Sequence, residues 1–121
     1  MNSRWYRKQC HWLLLFILGL SADLIAADDA FPMLKDSRLL QLDRVLVLLA
    51  EIEDCSFCEQ VKDDFLLPLT MDPKWEPLFQ VMRIDLNSPQ MLMGFSAQKI
   101  SQQDLAMVLS ADFSPTLIFL N

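Results

Sequence analysis

Hydrophobic positions fall along this chain in several distinct patterns. Trp12 to Leu20 is an unbroken uncharged run. Val45 to Ala50 is a shorter apolar run containing two valines, bounded by Arg44 and Glu51. A run of that length and composition predicts a strand buried on both faces, as in a parallel sheet. Further on, Val61, Phe65 and Leu66 recur at helical spacing, with Glu59, Lys62, Asp63 and Asp64 assigned to the opposite side. That predicts an amphipathic helix beginning at or within residues 55–58, ended or kinked by Pro68. Gln80 to Leu86 alternates and reads as a second strand, and Leu117 to Leu120 as a third. Between them, Ser101 can cap a helix carrying Asp104 in its first turn and Leu105, Val108 and Leu109 as its apolar stripe.

The remaining segments are weaker signals. Residues 28–34 read as an irregular lead-in, and Lys35 to Arg44 as a short first helix with Leu39, Leu40 and Leu42 at mixed spacing. Met71-Asp72-Pro73 and Asn87-Ser88-Pro89 are turn signals. Lys74 to Phe79 suits one more helical turn, and Met91-Leu92-Met93 a short extended piece before Gly94. Trp75, Leu78 and Phe79 are assigned to the core, and Met91, Met93 and Phe95 to packing. Strands separated by helices give an α/β layer fold with a mixed or parallel sheet.

The first apolar run is different in kind. Arg4, Arg7 and Lys8 precede it and small residues follow, which is the layout of a secretory leader. The run is short for a bilayer span. Residues 1–27 are therefore read as a signal peptide cleaved after Ala27, with an uncleaved membrane anchor as the other reading. Cys10 precedes the run, the wrong side for a lipoprotein cysteine, and no twin arginine is present. Either way residues 28–121 form one domain in a periplasmic or otherwise exported location. Over the whole 121 residues the formal charge is −6, from 10 basic and 16 acidic side chains. With 1–27 set aside, 7 basic and 15 acidic residues remain and no basic run is left, which excludes nucleic acid as a partner.

Export changes how the cysteines read. Cys10 leaves with the leader, so Cys55 and Cys58 are the remaining pair. Outside the cytoplasm two thiols this close form a disulfide unless something reduces them. Cys55-Ser56-Phe57-Cys58 lies between the buried strand and a helix. Two intervening residues at a helix start bring the sulfurs within bonding reach. The helix N-terminus then favours the first cysteine as thiolate, its reactive form. Cys55 would attack a substrate disulfide and Cys58 would resolve the mixed disulfide. A zinc site needs more ligands than two cysteines, since the single histidine, His11, lies in the leader. Haem attachment needs a histidine after the second cysteine, where Glu59 stands. No cofactor and no metal are expected. An inert structural disulfide remains as the competing reading, although so short a loop constrains the unfolded chain little.

From Val45 to Leu120 the chain resembles the thioredoxin superfamily, in particular its exported branch. The resemblance is carried by the apolar strand, Glu53-Asp54-Cys55-Ser56-Phe57-Cys58, the helix with Val61 and Phe65, and Asp72-Pro73. Arg83-Ile84-Asp85, Asp104-Leu105-Ala106 and Ser114-Pro115-Thr116-Leu117-Ile118-Phe119 complete it. It implies a thioredoxin-like three-layer fold with a mixed central sheet, here lacking the family's last strand and helix. It further implies that Pro115 is a cis-proline beside the cysteines, that Ser114 pairs with the substrate backbone, and that Phe57 offers the substrate apolar surface. Exported protein disulfides are the implied partners, with a membrane electron donor for re-reduction and the protein acting as a monomer. The sequence departs from the family at Leu49, where thioredoxin has a buried aspartate; Glu51 and Glu53 are weak substitutes.

Glu53, Asp54 and Glu59 crowd the pair, and no Lys, Arg or His stands beside it in sequence. Negative neighbours disfavour a thiolate, so a reductase or isomerase-like role is expected over a strong oxidant. A non-catalytic thioredoxin-fold binding module with a static Cys55–Cys58 disulfide is the other functional reading.

Overall fold

A computed structural model of the chain describes residues 30–121. The leader assigned to 1–27 lies outside the described residues. The fold is mixed α/β, with a three-stranded sheet and a separate two-stranded one. Strand β1 (Val45–Glu51) is the centre of the larger sheet, between residues 79–85 on one side and 116–120 on the other. It pairs in parallel with β2 (Phe79–Asp85), placing Val45 beside Phe79 and Glu51 beside Asp85. On its other side it pairs antiparallel with β5 (Thr116–Leu120), placing Ala50 beside Thr116 and Leu46 beside Leu120.

The unbroken apolar run of β1 follows from this position. Period-two alternation sends Leu46, Leu48 and Ala50 into one core, with Ile84, Leu92, Leu105 and Ala106. The intervening Val47 and Leu49 enter a second core on the other face, with Phe31, Leu66 and Val81. Leu48 and Leu49 are fully buried. A strand covered on both faces has no solvent side to fill with polar residues.

Helix α1 (Ser56–Val61) follows the cysteine loop and runs through a π-helical turn, Lys62–Leu66, into α2 (Leu67–Met71). Pro68 thus does not end the helical path as one reading expected, although regular α geometry gives way to the π-helical turn just before it. In the wider turn the Leu67 N–H reaches back to the Lys62 carbonyl, and Pro68 falls in the first turn of α2, where its missing N–H costs little. The extra residue in that turn also rotates the apolar stripe. Phe65, assigned to the stripe, is 65% exposed, while Leu66 is buried and Leu67 and Leu69 pack beside it.

The segment after β2 forms an antiparallel pair, β3 (Met91–Met93) with β4 (Lys99–Ser101). The partner β4 has no counterpart among the expected strands, since three residues carry too little periodicity to read. Gly94, at its turn, lies so close to Ile100 that a Cβ would meet its Cγ2 at 2.9 Å. Ser101 then caps α3 (Gln102–Val108), its Oγ accepting from the Asp104 N–H at 3.0 Å. Leu105 is buried in the stripe and Leu109 half-buried, but Val108 faces solvent.

The lead-in is more ordered than its sequence suggests. Residues 32–34 lie along the outer edge of β2: Leu34 N–H donates to Arg83 O and Arg83 N–H to Pro32 O. Lys35 O then accepts from Met93 N–H, joining the two sheets. The short helix expected over 35–44 is a single 3₁₀ turn, Ser37–Leu39, capped by Asp36. Leu39 and Leu42 are exposed, because their spacing gives no common face to bury. Of the residues assigned to the core or to packing, Phe79 packs there, whereas Trp75, Leu78, Met91 and Phe95 are at least partly solvent-facing.

Candidate functional site

The sheet register assembles the site. Because β5 runs antiparallel to β1, the residues before Thr116 meet the residues after Glu51 at one end of the sheet. Cys55 and Cys58 come from the first segment, Ser114 and Pro115 from the second. The chain leaves β1 through a tight turn in which Asp54 adopts a left-handed backbone, φ 55°. Aspartate tolerates that region better than most residues. Cys55 is the N-cap of α1, and its Sγ accepts from the Cys58 N–H at 3.2 Å.

Cys55 and Cys58 are joined by a disulfide, with Cα atoms 5.2 Å apart. The two ends are unequal. Cys58 is completely buried, whereas Cys55 is half-buried and lines an open cleft of about 850 Å³. Ser114 Oγ lies against both sulfurs, 3.0 Å from Cys58 Sγ and 3.4 Å from Cys55 Sγ. The Ser114–Pro115 peptide bond is cis, the geometry the resemblance implies. Phe57, between the cysteines, points into solvent at 70% exposure, and Phe113, next to Ser114, is equally open. All five candidate residues (Cys55, Phe57, Cys58, Ser114 and Pro115) therefore belong to the two segments that meet at this end of the sheet.

Three further residues at the site escape the sequence reading. Lys62 is expected on the solvent side of the helix, and Arg83 is the one charged residue inside the second strand's alternating stretch before Asp85; both are buried. Glu51, expected only as a weak proton-relay candidate, is buried between them. Arg83 Nη1 pairs with Glu51 Oε1, and Lys62 Nζ with Glu51 Oε2 at 2.9 Å and Glu59 Oε1 at 2.8 Å. Arg83 Nε also donates to Phe31 O at 2.7 Å. The alternation that buries Val47 and Leu49 sends Glu51 to the same face, and Arg83 follows Val81 likewise. Lys62 is one helical turn beyond Cys58, above both of them. Extending the two periodicities by one step would find all three.

These cations amend the electrostatic reading of the sequence. Glu53, Asp54, Glu59 and Asp85 line the cleft beside Cys55, but so do Lys62 and Arg83. Burial works against the Lys62 ammonium. The hydrogen bonds that the ammonium donates to Glu51 and Glu59, with the carboxylate charges, outweigh it and hold the Lys62 pKa above the ordinary lysine value.

Ser114 also lines a smaller groove of about 380 Å³, with Ile52, Leu86, Ala106, Met107 and Phe113. Among the described residues no three His, Cys, Asp or Glu side chains converge as a metal ion would need, and no helix is long and apolar enough to cross a membrane. No family model, curated protein or solved structure matches the chain.

Proposed function

We propose that this protein is an exported thiol–disulfide oxidoreductase of thioredoxin type. The observation that carries the reading is the asymmetric disulfide: a half-buried Cys55 on a cleft, a fully buried Cys58, and Ser114 against both sulfurs. A static structural disulfide has no need of one accessible sulfur and one shielded sulfur.

In the reduced protein the Cys55 thiolate attacks a substrate disulfide. A Cys55–substrate bond forms, and the departing substrate sulfur takes a proton from water. The Cys58 thiol loses its proton and attacks Cys55 Sγ, forming the Cys55–Cys58 bond and releasing the second substrate thiol. Two electrons pass from protein to substrate, and a dithiol donor must then reduce the protein again. The Cys58 N–H already directed at Cys55 Sγ is a preset donor for the thiolate. Cys58, shielded from solvent, meets the mixed disulfide only from inside.

Substrates are exported protein disulfides, met at the exposed Phe57 and the Ser114–Pro115 backbone. The acids lining the cleft favour a reductase or isomerase-like poise. The leader-like segment 1–27 supports an exported setting, with a membrane electron donor as the source of reducing equivalents. Insulin reduction by dithiothreitol, comparing the wild type with Cys55→Ser, tests the reading. The wild type accelerates precipitation and the variant does not; equal activity in the two assigns the disulfide to a static binding module.

A further inference from the structure

The buried ionic cluster has no part in the exchange steps just described, yet it lies against them. Lys62 follows Cys58 by one turn of helix, and its amide donates to the Cys58 carbonyl. Its side chain is only 7% exposed. A buried ion pair is a poor device for stability, because desolvation offsets its attraction and apolar residues of equal volume do as well. A lysine here calls for another account, and its surroundings supply one. Lys62, Glu51 and Arg83 line the same cleft as Cys55.

We propose that Lys62 is a positioning residue for disulfide exchange: Glu51, itself held by Arg83, fixes the Lys62 ammonium behind the cysteine pair, where its field favours the Cys55 thiolate. The inference rests on the exchange reading above. The disulfide is neutral, and opening it with two equivalents of glutathione transfers two electrons to the cysteines and releases one molecule of glutathione disulfide. Cys55 then gives up its proton to solvent and becomes an anion. A cation fixed nearby stabilises that product and leaves the neutral disulfide unaffected, so it shifts the equilibrium toward the reduced protein. Glu59 on the same helix and Glu53, Asp54 and Asp85 around the cleft act in the opposite sense, while Arg83 on β2 acts with Lys62. The raised Lys62 pKa keeps the ammonium charged wherever the reaction runs.

Because only differences matter, the sign of each substitution is fixed whatever else surrounds the cluster. Two measurements on the full chain test it: the rate at which iodoacetamide alkylates Cys55 in reduced protein at pH 6, and the equilibrium with glutathione. Lys62→Met slows alkylation about five-fold and shifts the glutathione equilibrium about five-fold toward the disulfide. Lys62→Arg stays within about two-fold of wild type on the same electrostatic scale. Glu59→Gln, at a mostly exposed side chain, moves both readouts the other way. Structural damage alone cannot give opposite signs. The inference is overturned if Lys62→Met leaves both quantities unchanged, or if Lys62→Arg falls with it. A wild type that never equilibrates with glutathione overturns the exchange reading itself; normal equilibration without a Lys62→Met shift overturns this inference alone.

Discussion

Removing the Ser114 hydroxyl gives a direct test of the geometry at the sulfurs. Ser114 Oγ is 3.0 Å from Cys58 Sγ and 3.4 Å from Cys55 Sγ, in a part-buried position. In the disulfide each sulfur is a weak neutral acceptor, so the hydroxyl gains little there. Reduction creates an anionic sulfur, and a hydrogen bond to a charged group contributes about 1.5–3 kcal/mol. Sulfur accepts more weakly than oxygen, and the nearer sulfur is the buried one. The differential contribution to the reduced state is therefore set at about 1 kcal/mol. Ser114→Ala should then make the disulfide harder to reduce, by about five-fold in equilibrium constant or ~20 mV. The assay is equilibration with graded glutathione mixtures, followed by alkylation and mass measurement of the two forms. Thermal stability of the oxidised variant should change by less than about 1 kcal/mol, because a hydroxyl bonds only weakly to neutral sulfur. An unchanged equilibrium would refute the idea that Ser114 acts on the reduced site. A shift toward the reduced form would mean that the hydroxyl favours the disulfide instead.

The remaining expectations concern stability and substrate contact. Leu48→Ala, at a fully buried position in the central strand, should cost about 2–5 kcal/mol in urea unfolding. Ser101→Ala removes the cap of α3 and should cost about 1 kcal/mol by the same measurement. Phe57→Ala, at 70% exposure, should change stability by less than about 0.5 kcal/mol while lowering the rate of insulin reduction. Lys62 has its folded-state pKa raised, so its stabilising contribution is complete at neutral pH and is lost as pH rises past the ordinary lysine range. Wild type should therefore lose more stability between about pH 9 and 11.5 than Lys62→Met does, as followed by alkaline urea titrations.

Where the sequence was legible, a single local rule decided the outcome. Val45 to Ala50 could only be a doubly covered strand, because it leaves no polar position for a solvent face. Ser101 with Asp104 set a helix start, and Ser114-Pro115 fixed the beginning of the last strand to within one residue. Where two rules competed, the reading failed. Pro68 argued for a helix end, but the π-helical turn before it let the chain continue and turned Phe65 out of the stripe while Leu66 stayed in it. Charge argued that Lys62 and Arg83 face water, yet strand alternation and the helical turn after Cys58 place them together under the cleft with Glu51. Charged residues obey the periodicity of their element first, and find partners where it leaves them. The weak pairs, Met91–Met93 with Lys99–Ser101 and Pro32–Leu34 with β2, depend on pairings that no local pattern announces.

The edge pairing of residues 32–34 reaches further than the sheet it borders. Phe31 O holds the Arg83 guanidinium, Arg83 holds Glu51, Glu51 holds Lys62, and Lys62 hangs one turn behind Cys58. The start of the described chain and the sulfur pair are thus opposite ends of one tether. Proteolytic trimming past Phe31 would release Arg83 from its carbonyl anchor and be felt at the disulfide, far along the sequence from the cut.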